Sequence, residues 1–305
     1  MARPSRLLKF VPISLILCIQ VSFSSLLQAQ DTSYARRVIC ALASPEMYGR
    51  GMQHRGDSIA AEFLRRELAS YNVKPLAKNY FQYFRFPQTR TQPPIVQAGY
   101  RSQNVCAYLP GRSDTMVVFT AHYEHLGMHG DTIFYGAHDN ASGTAAVLDL
   151  ARALSREEHH YTYVFLFFGG EEAGLIGSGY FADIPLVKLD KIKLLINLDL
   201  FCGGNEGLMV VNAEDGRTKP FVDLLEEING EHRFAAKIAR RPNAANSDHY
   251  FFTPHCPAVF IYTLGGRYGG YHNPQDTCEA CGLENYNGFL ALMHALLERM
   301  EGKGR

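Results

Sequence analysis

The strongest constraint on the fold is a set of short, almost wholly apolar segments separated by amphipathic ones. Residues 161–168 form the most apolar of these segments, and a strand without a polar face must be covered on both sides. Other strands are predicted at Asn104 to Leu109, Met116 to Ala121, Leu194 to Leu198, Leu208 to Val211 and Ala258 to Leu264. Helices are predicted near Asp57 to Tyr71, Thr144 to Leu154, Glu172 to Phe181, Lys219 to Ile228 and Tyr286 to Met300. This alternation predicts a single α/β domain.

The N-terminal segment has the pattern of a signal peptide. Three basic residues precede an apolar run that extends from Phe10 towards Leu27, and the segment ends in small and polar residues. We therefore predict a signal peptide at residues 1–30, a mature domain at residues 31–305, and a periplasmic or secreted location. An uncleaved anchor that contains Cys18 is the alternative.

The cysteines of the mature chain permit disulfide bonds. They are six in number, at Cys40, Cys106, Cys202, Cys256, Cys278 and Cys281. An even number of cysteines in an oxidising compartment fits disulfides. The Cys278–Cys281 spacing suits a local bridge, a redox pair or half of a zinc knuckle, but the sequence has no second such spacing to complete a knuckle. A disulfide of local or medium range is favoured over free thiols, and the connectivity stays open.

The charge balance says little in favour of a polyanionic partner. Lys plus Arg and Asp plus Glu are 30 each, so the formal net charge is zero. A neutral chain offers no basic surface for nucleic acid or for an anionic membrane. The expected partner is a small, nearly neutral molecule. The Pro- and Gln-rich stretch from Phe86 to Gln97 is predicted to be a loop or sheet edge.

Ionisable residues cluster at the predicted carboxyl ends of strands. His122 and Glu124 follow one strand, Glu171 and Glu172 follow another after a Gly-Gly turn, and Asp199 closes a third. Ligands of open α/β sheets bind in the crevice at this edge. An Asp inside an apolar strand would cost several kcal/mol if it had no partner. A shared binding site is therefore predicted at this edge.

Two further candidates lie in loops. Asp139 falls within the segment Gly136 to Gly143, just before a predicted helix, and His272 lies in a Gly-rich loop after the last strand. Taken singly, an Asp at a helix start is usually an N-cap, and a pair of Glu residues there usually reflects the helix dipole. These separate explanations would all have to hold at once, which is improbable. A metal site built from carboxylates and imidazoles is therefore favoured.

Five ordered blocks carry a resemblance to a known family. They are Ala121 to Gly127, Gly136 to Gly143, Phe167 to Ser178, Asn197 to Asp199 and Tyr271 to Thr277. In sequence and order they resemble the bacterial zinc aminopeptidases related to glutamate carboxypeptidase and transferrin receptor. Tyr48 to Gly51 and Ser247 to His249 extend the resemblance over most of the mature chain. It implies a zinc-exopeptidase-like fold with a mixed, mostly parallel central sheet and helices on both faces.

The resemblance also implies the chemistry. One zinc would be bound by His122 and Asp199, the other by Glu172 and His272, and the Asp139 carboxylate would bridge the two. Glu171 would be the general base and peptides with a free N-terminus the substrates. The residue types agree, because zinc accepts imidazole nitrogen and carboxylate oxygen and keeps open positions in catalytic sites. A pair of ions about 3.5 to 4 Å apart can polarise a carbonyl and activate a water.

One residue departs from the family pattern, and one backbone feature is expected from it. Glu124 stands where the family usually has Asp, the residue that orients the first ligand imidazole, so it would make that contact with a shifted rotamer or miss it. The loss of such a contact typically costs about 10 to 100-fold in metal affinity or activity. A cis peptide bond is expected between Asp139 and Asn140.

Other polar residues of the matching blocks receive lesser roles. His125 and His249 are predicted to be structural or pocket-lining, and His138 to be a loop residue. Asp248 is a candidate either to support a ligand or to meet the substrate amine. Candidates to line the substrate pocket are Tyr262, Arg267 and Tyr271.

Three alternative functions remain. Glutaminyl cyclases are similar but use a single zinc to cyclise N-terminal glutamine, and the complete ligand set favours hydrolysis over that reaction. A non-catalytic binding domain on the same fold would be expected to have lost ligands, whereas none is lost here. A carboxypeptidase acting at the other end of the peptide is the third alternative.

Overall fold

A computed structural model describes residues 32–86, 99–265 and 270–303 of the chain. The predicted signal peptide at residues 1–30 lies outside these ranges, as do Arg267 and all but Phe86 of the predicted Pro- and Gln-rich loop. None of the helices in the described ranges is both long and apolar enough to cross a bilayer.

The described residues form eleven strands and six α-helices. The strands are β1 Lys74–Pro75, β2 Phe81–Arg85, β3 Arg101–Leu109, β4 Met116–His122, β5 Gly127–His129, β6 Thr132–Phe134, β7 Thr162–Phe168, β8 Ile192–Leu198, β9 Gly207–Val211, β10 Ile238–Arg241 and β11 Ala258–Leu264. The helices are α1 Ser33–Leu42, α2 Gly56–Ser70, α3 Gly143–Leu154, α4 Ile176–Asp183, α5 Lys219–His232 and α6 Tyr286–Met300.

Nine strands make one mixed sheet in the order β1, β3, β7, β4, β8, β11, β9, β10, with β2 also paired to β3. The central strands β7, β4, β8 and β11 run parallel to one another. Antiparallel neighbours, β3 and β9, flank them. The predicted mixed α/β sheet is therefore confirmed, with its parallel character concentrated at the centre. Strands β5 and β6 form a separate hairpin.

Helices cover both faces of the sheet, as predicted. Phe119 and Phe165 belong to the larger apolar cluster, which packs against α1, α2, α3, α5 and α6. Their strand neighbours Val118 and Val164 point to the opposite face and pack in a second cluster with Phe181 of α4. Because successive side chains of a strand alternate between faces, a strand that is apolar throughout fits only this two-sided burial.

The predicted start of α4 at Glu172 is wrong. The helix begins at Ile176, because residues 170–175 form a turn. In that turn the amides of Gly174 and Leu175 donate to the carbonyl of Glu171, and Leu175 has a positive φ of 60°. Both glutamates of the pair therefore lie in a turn ahead of the helix rather than on it.

Two disulfide bonds join distant parts of the chain. Cys40 pairs with Cys278 across 238 residues, and Cys202 pairs with Cys281 across 79 residues. Disulfides are thus favoured over free thiols at Cys278 and Cys281, as predicted, but the bridge is not local, because the two sulfurs have different partners, one on α1 and one just after β8. Helix α1 was not predicted from the sequence. Cys106 and Cys256 are free and buried.

Candidate metal centre

The parallel strands bring their carboxyl-terminal residues to one edge of the sheet. His122 is the last residue of β4 and lies in register with Phe168, the last residue of β7. The turn after β7 carries Glu171 and Glu172, while Asp199 directly follows β8. Three of the neighbouring central strands thus deliver a potential ligand to the same place, as the sequence predicted.

Asp139 lies between two imidazoles. Its Oδ1 is 3.2 Å from Nε2 of His122, and its Oδ2 is 3.0 Å from Nε2 of His272. The carboxylate lies in an irregular helical turn, residues 137–142, that leads into α3, and the Asp139–Asn140 peptide bond is cis as expected. Each oxygen of one carboxylate therefore faces a different histidine.

Asp199 and Glu172 complete the two halves of the site, one around His122 and the other around His272. Asp199 Oδ1 is 3.4 Å from Nε2 of His122, and Glu172 Oε2 is 3.0 Å from Nε2 of His272. Ser247 holds the second oxygen of Asp199 through a 3.1 Å hydrogen bond. The structure therefore gathers all five side chains that the sequence singled out as metal ligands.

The arrangement fits a cation better than it fits a hydrogen-bond network. Nε2 of His122, Oδ1 of Asp199 and Oε1 of Glu172 are buried, and none of them makes a hydrogen bond of acceptable geometry within the described residues. Buried polar atoms in folded proteins are nearly always paired. Imidazole nitrogens and carboxylate oxygens in contact are the donor set that zinc accepts. The donors present therefore fit zinc.

The imidazole of His122 is oriented by the backbone of Glu124, not by its side chain. Nδ1 of His122 lies 3.1 Å from the Glu124 carbonyl oxygen and 4.0 Å from the Glu124 carboxylate. The carboxylate instead accepts the backbone amide of Glu172 at 3.0 Å. Burial raises the pKa of Glu124 to about 8, against the opposing charge of His122.

Glu171 lies beside the His122 half of the site. Ligand atoms of His122, Glu124 and Glu171 all lie within 4.8 Å of one another. Burial raises the pKa of Glu171 well above its usual range, and the positive charge of His122 opposes the shift. A carboxyl group with a raised pKa beside a metal position is suited to hold and release a proton.

His125 borders a cleft beside the site, as predicted, and it also contacts a proposed ligand. Its Nδ1 lies 2.7 Å from Glu172 Oε1, and its side chain is buried. With Asp139 and Glu172 it forms a third group of potential ligand atoms within 4.8 Å. The one available signal was its position three residues beyond His122, on the same edge of the sheet.

The remaining candidates make different contacts, and only some of them adjoin the site. Tyr271 stacks on His272 with ring centroids 3.9 Å apart. His138 accepts the amide of Cys202 at 3.0 Å through Nδ1. Asp248 is fully buried, and burial raises its pKa to about 6 while His122 opposes the shift. Tyr262 lies on β11, next to Phe260.

A cleft opens beside the Glu172 half of the site. It is bordered by Glu124, His125 and Glu172 on the polar side, and the space inside it is about 20 Å³, which is room for about one water molecule. Met52 and Leu126 contribute apolar surface. The cleft therefore places apolar surface beside the polar groups at the edge of the site.

A mixed sheet with this edge cluster of carboxylates and imidazoles defines the class of zinc-exopeptidase-like α/β proteins. The sequence model described as peptidase family M28 matches residues 104–297, more than half of the chain, and the chain belongs to that family. The resemblance seen in the sequence is thereby confirmed.

Two proteins with similar sequences carry the names of enzymes. A probable leucine aminopeptidase of Arthroderma otae is 24% identical over 194 residues, which are 60% of this chain and 54% of that protein. A probable zinc metalloprotease of Leptosphaeria maculans is 33% identical over 107 residues, which are 33% of this chain and 24% of that protein. The chain thus aligns with about half of the first relative's length and about a quarter of the second's.

Solved structures share the fold over nearly the whole chain. A glutaminyl cyclase of Porphyromonas gingivalis superposes with a TM-score of 0.72 at 15% identity, covering 88% of this chain and 98% of that one. The LapA aminopeptidase of Legionella pneumophila gives a TM-score of 0.66 at 16% identity, covering 90% and 73%. At these identities the similarity concerns the fold alone.

Proposed function

We propose that the chain is an exported aminopeptidase that uses two zinc ions to hydrolyse the N-terminal peptide bond of peptides. The observation that carries the proposal is the position of Asp139, whose two oxygens face His122 and His272 separately, 3.2 and 3.0 Å away. A carboxylate held between two imidazoles, each with a further carboxylate of its own, is arranged to bridge two metal positions.

In this proposal His122 and Asp199 would hold one zinc, Glu172 and His272 would hold the other, and the Asp139 carboxylate would serve both. When bound, the metal pair supplies Lewis-acid polarisation of the scissile carbonyl and a water of lowered pKa. Glu171 would take up the proton of the attacking water and pass it to the departing amine. The backbone carbonyl of Glu124 keeps the His122 ring oriented while this happens.

The charge around the cleft favours a substrate ammonium over a carboxylate. Glu172 borders the cleft, and the buried Asp248 adds a further carboxyl group near His122. The Arg50 guanidinium also borders the cleft, but it donates to five backbone carbonyl oxygens. Among the described residues, that cation is therefore not available to a C-terminal carboxylate, which supports an aminopeptidase over a carboxypeptidase.

Export is supported by the two disulfide bonds. Disulfides such as Cys40–Cys278 and Cys202–Cys281 persist in oxidising compartments and are rare in the cytosol. The signal-peptide pattern of residues 1–30 agrees with this. We propose that the mature chain is released into the periplasm or the medium.

The test combines metal analysis with a substrate panel on the purified mature chain. The panel contains an aminoacyl p-nitroanilide, its N-acetylated counterpart, a peptide with N-terminal glutamine and an N-blocked peptide with a free C-terminus. Two zinc ions per chain and cleavage that requires a free N-terminus are the expected results. Absence of both hydrolysis and pyroglutamate formation from the zinc-loaded protein would indicate a non-catalytic binding domain.

A single-zinc glutaminyl cyclase is the second candidate, because the cyclase of Porphyromonas gingivalis is covered over 98% of its length. One zinc per chain with pyroglutamate formation from the glutamine peptide would establish it. The His122 and Asp199 half of the site, with Nε2 and Oδ1 3.4 Å apart, favours the two-metal hydrolase.

A further inference from the structure

The backbone of residues 135–139, which presents Asp139 to the site, lies against a buried cation. Nη1 of Arg50 donates to the carbonyl of Tyr135 at 2.6 Å, and Nη2 donates to the carbonyls of Gly136 at 2.7 Å and Asp139 at 3.4 Å. Arg50 is fully buried. Three carbonyl groups of this segment therefore point at a positive charge.

The amide groups of the same segment point at a buried anion. Asp276 accepts the amide of His138 at 2.7 Å through Oδ1 and the amide of Asp139 at 3.1 Å through Oδ2. Its own carbonyl accepts the amide of Ala137 at 3.1 Å. Asp276 is also fully buried, and it lies on the same loop as His272.

The two charges do not touch each other. Among the described residues, no carboxylate oxygen lies within 4.0 Å of the Arg50 guanidinium, yet the charge of Asp276 is the largest that opposes the lowering of the Arg50 pKa by burial. The segment 135–139 lies between them: the carbonyls of Tyr135, Gly136 and Asp139 accept from the cation, and the amides of His138 and Asp139 donate to the anion. Buried charges are retained when they are paired and hydrogen-bonded, and here the pairing runs through the backbone.

The two residues also reach the other ligand-bearing segments. Nε of Arg50 donates at 2.7 Å to the carbonyl of Tyr123, the neighbour of His122. Gly136 makes the packing tight, because a side chain there would collide with the Asp139 carbonyl and the His125 ring. Arg50 is thus linked to the segment that carries His122, and Asp276 to the loop that carries His272.

We propose that Arg50 and Asp276 are positioning residues that hold the Asp139 carboxylate between His122 and His272 and so set the distance between the two metal positions. The inference rests on the proposed two-metal function but concerns metal binding, not turnover. An ordinary structural role would stabilise the fold equally in the presence and absence of metal. A positioning role changes how the metal is held.

The test compares Asp276→Asn and Arg50→Lys with a matched control, Asp149→Asn. Asp149 is also a fully buried carboxylate, but its partners are Arg152 and Tyr286, outside the site. An asparagine at 276 can accept only one of the two amides, because its NH₂ group faces the other. A lysine at 50 is a compact ammonium without the planar fork of donors.

Three readouts are measured on each purified variant: zinc affinity, the increase in Tm on adding zinc, and the visible spectrum with Co²⁺ as the metal probe. Both site variants are expected to lose about 10 to 100-fold in affinity for at least one metal, to show a smaller zinc-induced rise in Tm, and to shift the Co²⁺ spectrum. The control is expected to lower the Tm of the metal-free protein while affinity and spectrum stay at wild-type values.

Wild-type affinities and spectra in both site variants, with only the metal-free Tm lowered as in the control, would overturn the proposal. If Asp276→Asn does not fold, Asp276→Glu replaces it, because it keeps the charge and both oxygens on a longer stem. The Co²⁺ spectra of Asp276→Glu and Arg50→Lys then test the proposal. Peptidase activity enters none of these readouts. An inactive wild-type protein with two metals therefore refutes the proposed function and leaves this inference standing.

Discussion

The carboxylate of Glu124 accepts a hydrogen bond from the backbone amide of Glu172, with 3.0 Å between Oε1 and N. This contact joins the segment after β4 to the turn after β7, and so connects the two halves of the site. It also shows what the longer side chain does where the family usually has Asp: it reaches the neighbouring ligand's backbone. The His122 ring is oriented by the backbone carbonyl of Glu124, whose oxygen is 3.1 Å from Nδ1.

The first prediction separates hydrogen bonding from charge at Glu124. Glu124→Gln keeps an oxygen that accepts the Glu172 amide, so kcat/KM and zinc content are expected to stay within about 5-fold of wild type. Glu124→Ala removes the acceptor, and activity or metal affinity is expected to fall about 10 to 100-fold. Zinc titration and initial rates measure both. Equal losses in the two variants would show that the charge, not the hydrogen bond, is what matters.

Much of the fold was predictable because apolar runs specify buried strands without reference to distant residues. Strand β11 and helix α6 have the predicted bounds, Ala258–Leu264 and Tyr286–Met300. The candidate ligands His122, Glu172 and Asp199 were predicted for a related reason, since carboxyl ends of parallel strands meet at one edge. The assignment of Asp139 and His272 came from the resemblance to the family. The local patterns thus determined both the sheet and the place of its binding site.

The features that escaped prediction depend on contacts between residues far apart in the chain. Arg50 and Asp276 are buried charges whose partners are backbone groups, which carry no signature in the sequence. The partner of Cys278 is 238 residues away on α1, a helix that was not predicted. His125 could be recognised as close to Glu172 only after the turn after β7 was placed.

The second prediction concerns the general base. Glu171→Gln keeps the size of the side chain but removes its ability to take a proton, so kcat is expected to fall by about 10² to 10⁴-fold. Zinc content is expected to remain at the wild-type level, because Glu171 is not among the proposed ligands. Glu172→Gln is the matched comparison and is expected to lose metal. Hydrolysis of an aminoacyl p-nitroanilide by Glu171→Gln at the wild-type rate would refute the proposed role.

The third prediction links zinc binding to proton release. Hydrogen bonds to Asp139 and Glu172 raise the pKa of His272 to about 10, so the metal-free protein carries a proton there at pH 7.5. Zinc requires a neutral imidazole, and metal binding therefore displaces that proton. Zinc affinity at this position is expected to increase with pH up to about 10.

Calorimetric zinc titrations in buffers of different ionisation enthalpy measure the protons released. His272→Ala is expected to bind one zinc fewer and to release fewer protons than wild type. His232→Ala serves as the control, because that ring is exposed on α5 and remote from the proposed ligands. Full zinc content in His272→Ala would refute the ligand assignment, and titrations without proton release would refute the protonation of His272.

The fourth prediction addresses the disulfides. The Cys202–Cys281 bond closes a loop of 79 residues, and by the chain-entropy account its removal lowers the free energy of unfolding by about 4 kcal/mol. Denaturant unfolding of Cys202→Ser with Cys281→Ser, against wild type in the oxidised state, measures the loss. Cys256→Ala, at a buried free cysteine, controls for the loss of a buried sulfur. Equal stability of the double variant and wild type would show that the bond does not stabilise the fold.

The fifth prediction follows from a histidine outside the metal centre. His249 is buried against Phe260, with ring centroids 5.6 Å apart, and burial lowers its pKa to about 4. An unfolded histidine has a pKa of about 6.5. As the pH falls below 6.5, His249 binds a proton in the unfolded chain but not in the folded chain. The free energy of unfolding therefore falls until the pH approaches 4.

Between pH 7.5 and pH 5 this difference in proton uptake costs the wild-type protein about 2 kcal/mol. His249→Leu has no proton to bind in either state, so its unfolding free energy is expected to fall by about 2 kcal/mol less over the same interval. The comparison uses chelated, metal-free protein, because acid also displaces metal from the site. His232→Leu, at an exposed position, shows how much of the effect any histidine gives. Because each protein is compared with itself at two pH values, the packing cost of the leucine cancels. Equal losses of unfolding free energy in His249→Leu and wild type would mean that the buried imidazole does not make the fold acid-sensitive.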